Sequence, residues 1–436
     1  MRFVRRLLPG GLLAVIVACG SETVLEPGAL TITVSATPTS PTNDPSVGVA
    51  GQVTRAPAAS GVPIVVTLTH TSGTVTDSAD QGGGFSFTVA LTPNAQNTIQ
   101  LTATDASGST ATPVNLTVLH DDEGPRVSQV QPANAADGVS PAVIQVTLSE
   151  QLKELIGAGI AVSSQGAPVA GTVALSNDSL TLTFTPAAPF VTNAIHQVTV
   201  GNYRDALGNL GTGVASCFVT GGSPFVGSDP LDDLYFGGAP PAALVPPDLV
   251  QMRVDRQGAN LHWLLRFAAA RSLSLADPNN LYAWVDLDTD LDGNTGNETF
   301  KDAVFASLLP ASGTRAEYGV VIVPQESAMD SSGVGPYVAQ DSVSFAYQFI
   351  PDLCGLSVGF SFPMSALGGD DGVFRAVGIF YALSQPGFLV DPAPDAAYYA
   401  VNLPGSPFAQ AASALRPTMG AGRPIRLREW EVERRR

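Results

Sequence analysis

The chain has 436 residues, a formal net charge of -17, 44% hydrophobic residues and only 14% charged ones. That length allows two to four domains with buried cores, while the acidity argues against nucleic acid and anionic membrane surfaces as partners. Forty-four glycines and 34 prolines, set among many Thr, Val and Ser residues, suit short strands joined by turns rather than helix bundles.

The first element is a leader. Arg2, Arg5 and Arg6 form a positive segment, and Leu7 to Ala18 an apolar run that is too short to span a bilayer as a mature helix. It ends in Ile16-Val17-Ala18-Cys19. This run resembles the lipobox of bacterial lipoproteins. The resemblance implies a signal peptide over 1–18, diacylglycerol on the Cys19 thiol, and a lipid-anchored tether over 19–30. Without its three arginines the remainder is still more acidic. No aspartate follows Cys19, so the usual inner-membrane retention signal is missing and an outer-membrane lipoprotein is expected, facing periplasm or cell surface. The alternative is an ordinary secretory leader with a chance cysteine.

Residues 31–120 read as alternating strands. Ile32 and Val34 face one way, Val47, Val49 and Val53 follow, then come Ile64 to Leu68, Phe85 to Val89, Ile99 to Ala103 and Val114 to Val118. Short strands at this spacing argue for a sandwich. Asn97, Ile99, Ala103, Asp105 and Gly108 resemble a stretch of bacterial Ig-like repeats. A charged hinge, Asp121-Asp122-Glu123, comes next. It reads as a polar linker, with an ion shared among these acids, Asp105 and Asp205 as the alternative.

A second module is expected over 125–221. Ile144 to Leu148, Leu180 to Thr185, His196 to Val200, Asp205-Ala206-Leu207-Gly208-Asn209 and Phe218 to Thr220 run in order. They resemble the bacterial Ig-like module of S-layer proteins. His196 departs from the pattern, because the family usually has a glycine and a tyrosine near that point. The resemblance implies a spacer or docking platform and no catalysis.

Residues 223–404 have a different texture. Leu261, Trp263, Leu265 and Phe267 alternate with His262, Leu264 and Arg266, which makes an amphipathic strand. Trp263 is expected in the core and His262 on the surface. Tyr282 to Asp286, Val320 to Val323, Val343 to Tyr347 and Val377 to Tyr381 continue the strands. The acidic strand end near Asp286 and the Pro363 to Gly368 turn resemble DOMON-like and family-9-type carbohydrate-binding sandwiches. Residues 405–436 form a tail that ends basic. The fold class expected is all-β: two Ig-like β-sandwiches in tandem, then a larger jelly-roll-like β-sandwich.

Chemistry concentrates in Asp286-Leu287-Asp288-Thr289-Asp290-Leu291-Asp292-Gly293-Asn294. Alternating carboxylates place oxygens on one side of an extended backbone, and calcium seeks six to eight of them. From Asp288 the run fits half an EF-hand loop, but Thr299 stands at the twelfth position and Glu298 falls one early. A structural calcium held by Asp286, Asp288, Asp290, Asp292, Asn294 and Glu298 is expected in a β-protein, with a solvated acidic turn as the alternative. Tyr282 and Trp284 share a face leading to Asp286; both core packing and sugar stacking are open to them. Cys217 and Cys354 lie in different expected domains and read as buried free thiols, with a disulfide, which export would permit, as the alternative.

Catalysis has little support. The four histidines lie in no His-Glu-x-x-His pattern, and neither a Gly-x-Ser-x-Gly elbow nor a P-loop is present. The chain therefore reads as a non-catalytic envelope lipoprotein whose modules present a distal domain to a glycan or protein ligand. The alternatives are a hydrolase with its active site in 223–404 and a purely structural spacer.

Overall fold

A computed structural model describes residues 28–403, apart from 57–62, 158, 238–243, 307–308, 325–335, 341–343, 369, 371, 385–386 and 395–396. The leader, Cys19, most of the tether and the basic tail lie outside the described residues. The described chain is all-β, with one short helix, Phe300–Phe305, and one short 3-10 turn, Met364–Leu367. It divides into two compact units that meet in sequence at Glu123 and Gly124.

The first unit is a sandwich. Strands Ala29–Val34, Ser46–Ala56 and Gly84–Ala90 form one sheet. Gly73–Ser78, Ile64–His70, Gln96–Asp105 and Val114–Leu119 form the other. Period-two alternation sends Val49, Val53, Val66, Phe87, Ile99, Leu101 and Val118 into a common core. The motif residues act as brackets. Asn97 is fully buried; its amide donates to the carbonyls of Thr92 and Ala95 and accepts from the Thr92 backbone. Asp105 accepts from the backbone of Ser107 and Ser109 and pairs with Arg55 at 2.5 Å. It is thus committed to closing its own turn.

The second unit begins with another sandwich. Gly171–Leu175, Thr181–Pro186, Ile144–Leu148 and Val127–Gln131 make one sheet. Ala167–Pro168, Ile160–Ser164, Ile195–Val200, Val214–Thr220 and Ala136–Val139 make the facing one, the last strand pairing in parallel. His196 is buried against Phe190 and Phe218, with ring centroids at 4.9 and 5.0 Å, and its Nε2 lies 3.1 Å from the Val191 carbonyl. An imidazole here fills the place of an apolar ring, and burial lowers its pKa. Asp205 accepts from the backbone N–H of Asn209 across its own turn.

A larger sandwich completes this unit. Its smaller sheet runs Phe225–Ser228, Leu249–Gln257, Asn260–Phe267, Ser357–Pro363 and Asp352–Cys354. Its larger sheet runs Tyr235–Gly237, Gly387–Ala393, Val373–Ser384, Tyr282–Asp288, Tyr318–Ile322, Tyr337–Gln340 and Ser344–Gln348. Trp263 lies between the sheets, fully buried and stacked on Phe360, Phe362 and Phe374 at 5.9 to 6.3 Å. Truncating such a side chain costs about 3–5 kcal/mol.

Two expectations are overturned at the seam between this sandwich and the module before it. Cys217 and Cys354 form a disulfide; they are not free thiols. His262 is only 5% exposed; it is not a surface imidazole. Strand alternation sends His262 out of the distal core, and the preceding module covers that outer face. Asp137 takes both guanidinium nitrogens of Arg253, at 2.8 and 2.7 Å, and one of Arg266 at 2.8 Å. Gln165 reaches His262 Nδ1 at 3.1 Å, accepts from Ser361 Oγ, and its backbone N–H donates to Asp352. Asn193 donates to the His262 carbonyl and Gln197 to the Leu353 carbonyl. Ile195, Val219 and Leu264 pack around the disulfide. The two cysteines meet because their strands lie face to face across the seam, which sequence distance conceals.

Candidate functional site

Strand Tyr282–Asp288 lies inside the larger sheet, paired with Tyr318–Ile322 on one side and Val373–Ser384 on the other. Ala283, Val285 and Leu287 point into the core. Tyr282, Trp284, Asp286 and Asp288 therefore share the outer face, against which Phe300, Phe305 and Leu309 pack. Tyr282 is 2% exposed and stacks on Tyr381 at 5.0 Å. Trp284 is half-buried, stacks on Phe300 at 4.7 Å, and donates from Nε1 to Asp286. Tyr282 is thus packed within the face, while Trp284 keeps part of its ring exposed beside Phe300.

The acidic run is dispersed by its own backbone. Asp286 is buried, and its second oxygen accepts from the Phe300 backbone N–H at 2.6 Å. It supports the start of helix Phe300–Phe305, where Thr299 is the N-cap. Burial pushes its carboxyl up to about 7. Asp292 accepts from the backbone and side chain of Asn294, which makes these two a local turn. Glu298 is exposed in a two-residue strand opposite Arg315.

What does converge is Asp288, Asp290 and a residue the sequence did not flag, Glu317. Their carboxylate oxygens lie within 4.8 Å of one another. Calcium ligands 2.3–2.6 Å from one ion stand about this far apart. Asp288 is fully buried; Oδ2 meets Arg375 at 2.8 Å and accepts from Thr314, and no donor reaches Oδ1. Glu317 Oε2 accepts from the Thr289 backbone at 2.8 Å, and no donor reaches Oε1. Burial raises the Glu317 pKa, with Asp290 and Asp288 adding repulsion. Asp290 is exposed and held low, first by the Thr295 hydroxyl and then by the Asp292 backbone. Only strand register reveals Glu317: Tyr318 pairs with Leu287, which brings the residue before Tyr318 beside Asp288. The three carboxylates concentrate negative charge, and Arg375 offsets that of Asp288.

The described residues thus bring the carboxylates of Asp288 and Asp290 from the expected set together with Glu317; Asp286 turns to Trp284 and Phe300, and Asp292 and Asn294 bond to each other in the turn next to Asp290. Among solved structures, the chain is similar to a 1.5-MDa bacterial ice-binding adhesin, with 11% identity, 85% of this chain and 98% of that chain covered, and a TM-score of 0.27. An I-band fragment of titin matches with 9% identity, the same coverages and a TM-score of 0.25. PcoC, a methionine-rich copper resistance protein from Escherichia coli, matches with 20% identity over 22% of this chain and 97% of that one, at a TM-score of 0.20. TM-scores this low leave each a likeness and no more. No curated protein matches the chain. Residues 121–220 match the family model described as a bacterial Ig-like domain.

Proposed function

We propose that the chain is a non-catalytic, lipid-anchored protein of a bacterial envelope, in which Ig-like modules present the distal sandwich to a glycan or protein ligand. The observation that carries this is the seam. The bacterial Ig-like module and the distal sandwich are joined by a disulfide, by the Asp137 pairs with Arg253 and Arg266, and by the buried Gln165–His262 contact. A module stapled this way holds its neighbour in one orientation, which suits a presenting stalk. The oxidised cysteine pair also fits an exported protein. The anchor is Cys19, at the end of the lipobox-like Ile16-Val17-Ala18-Cys19, and outer-membrane placement follows from the missing aspartate after it.

The Asp288, Asp290 and Glu317 group belongs to this proposal as a structural calcium site. Two buried oxygens without donors support it, and the Arg375 pair weakens it. A glycoside hydrolase acting through a carboxyl general acid would need one near neutrality that substrate can reach. Asp286 has that pKa but is 3% exposed beneath Trp284 and Phe300.

Radiolabelled palmitate fed to cells making the full chain should enter the wild type and not Cys19→Ser, and the variant should leave the membrane fraction. Label retained by the variant would refute the anchor.

A further inference from the structure

A second group of acids lies at the opposite edge of the larger sheet from Ser344–Gln348, and it involves no sequence motif. Asp229 follows strand Phe225–Ser228 at the edge of the smaller sheet; Asp233 precedes Tyr235–Gly237 at the edge of the larger one. The chain crosses between the sheets here. Asp391 projects from strand Gly387–Ala393, whose Val390 pairs with Tyr235. The carboxylate oxygens of Asp229, Asp233 and Asp391 lie within 4.8 Å of one another, and all three residues are buried. Asp248, 4% exposed, precedes strand Leu249–Gln257 and stands close enough to act electrostatically on Asp391.

Clustering alone would not make this a site. Independent of it is the state of two buried side chains. Asp391 is fully buried, and its Oδ2 accepts from the Leu249 backbone N–H, but no donor reaches Oδ1. Asp248 Oδ2 accepts from the Asp232 backbone at 3.0 Å, and no donor reaches its Oδ1 either. A buried carboxylate oxygen without a partner forfeits its hydration and gains nothing in return. Asp229, Asp233 and Asp248 each add repulsion to Asp391. Arg271 lies within electrostatic reach of Asp248, but the hydrogen bonds from its guanidinium run to the carbonyls of Val245, Ala269 and Ala270. The Tyr399 hydroxyl, 3.2 Å from Asp229 Oδ1 and from the Ser228 carbonyl, adds a further oxygen beside the group.

We propose that Asp229, Asp233 and Asp391, backed by Asp248, bind a hard divalent cation such as calcium that ties the edge strands of the two distal sheets together. An all-oxygen, multiply anionic cage of this spacing suits calcium and offers no nitrogen or sulfur to a softer metal. The strands meet where the chain passes from one sheet to the other, so an ion here clamps the sandwich at its open edge. This site is independent of the group around Asp288.

Equilibrium dialysis of the full chain against radiolabelled calcium counts the bound equivalents. Asp233→Asn, which keeps shape and removes one charge, should bind one equivalent fewer than wild type, and Asp391→Asn likewise. The Asp290→Asn, Glu317→Gln double variant should retain that equivalent, which separates the two sites. In chelator, Asp233→Asn should melt at or above the wild-type temperature, because repulsion is relieved. Asp391 also holds the Leu249 backbone, so if Asp391→Asn misfolds, Asp233→Asn decides the matter. A folded Asp233→Asn chain that binds as much calcium as wild type overturns the proposal. So does a wild-type chain that binds none.

Discussion

The acidic run at 286–298 and the seam between the Ig-like module and the distal sandwich are opposites. The run carries the densest chemical signal in the sequence, yet the fold scatters it: one acid supports a helix start, one pairs with arginine, and one closes a turn. The seam has no signal at all. Its members are single residues far apart, Asp137, Gln165, Cys217, Arg253, His262 and Cys354, and the fold collects them into a dense set of polar and covalent ties. Residues adjacent in sequence on a strand or turn diverge by backbone geometry, while long-range packing creates convergence.

The comparison breaks most readily at the disulfide. Cys217 and Cys354 are 137 residues apart, and on the chain-entropy model closing so long a loop stabilises by about 5 kcal/mol, with measured values more often about 2–4. A Cys217→Ala, Cys354→Ala chain should therefore unfold at clearly lower denaturant, and module and sandwich should separate into two transitions. A single transition at the wild-type midpoint would mean that the seam holds without its covalent tie.

The acidic run is tested by Arg375→Met. Asp288 is buried, and the guanidinium offsets its charge. Leaving a buried carboxylate unpaired costs about 3–5 kcal/mol, discounted here to about 2–3 because the Arg375 side chain is 20% exposed. Thermal melting in chelator should fall accordingly. Added calcium should restore more to this variant than it gives wild type, since Asp288, Asp290 and Glu317 then present their full charge. Equal calcium effects in both proteins would leave the run without a cation role.

The smallest effect expected is the pH response of the seam. Burial lowers the His262 pKa, against the pull of Asp255 and with help from His196. A histidine whose folded pKa is depressed contributes stability that is full above its unfolded value near 6.5 and is lost as pH falls through the folded value. The second unit should thus melt lower at pH 5 than at pH 7, and His262→Gln should reduce the difference. His196, shifted the same way, leaves a residual slope. An unchanged pH dependence in the variant would show that His262 does not carry the depressed pKa that its burial at the seam requires.

Local patterns made the β-class legible. Period-two alternation around Val49, Ile99, Val146 and Trp263 reports burial on one face, because strand side chains alternate whatever their partners are. Asp105 and Asp205 stood out as motif positions, but only the structure shows each accepting from the backbone of its own turn. The leader and Cys19 are read from the sequence and lie outside the described residues. Other features depend on which strands become neighbours. Glu317 stands beside Asp288 only through the pairing of Leu287 with Tyr318. The covered state of Tyr282 depends on where the segment after Thr299 folds back. His262 faces outward in its own sandwich, as alternation requires, but a second domain covers that face. The Cys217–Cys354 bond and the Asp229, Asp233 and Asp391 group join segments more than a hundred residues apart. Sequence alone determined which residues point together along one strand; only tertiary packing decided what they meet, because partners across sheets and seams are chosen by shape and burial over distances that no local pattern encodes.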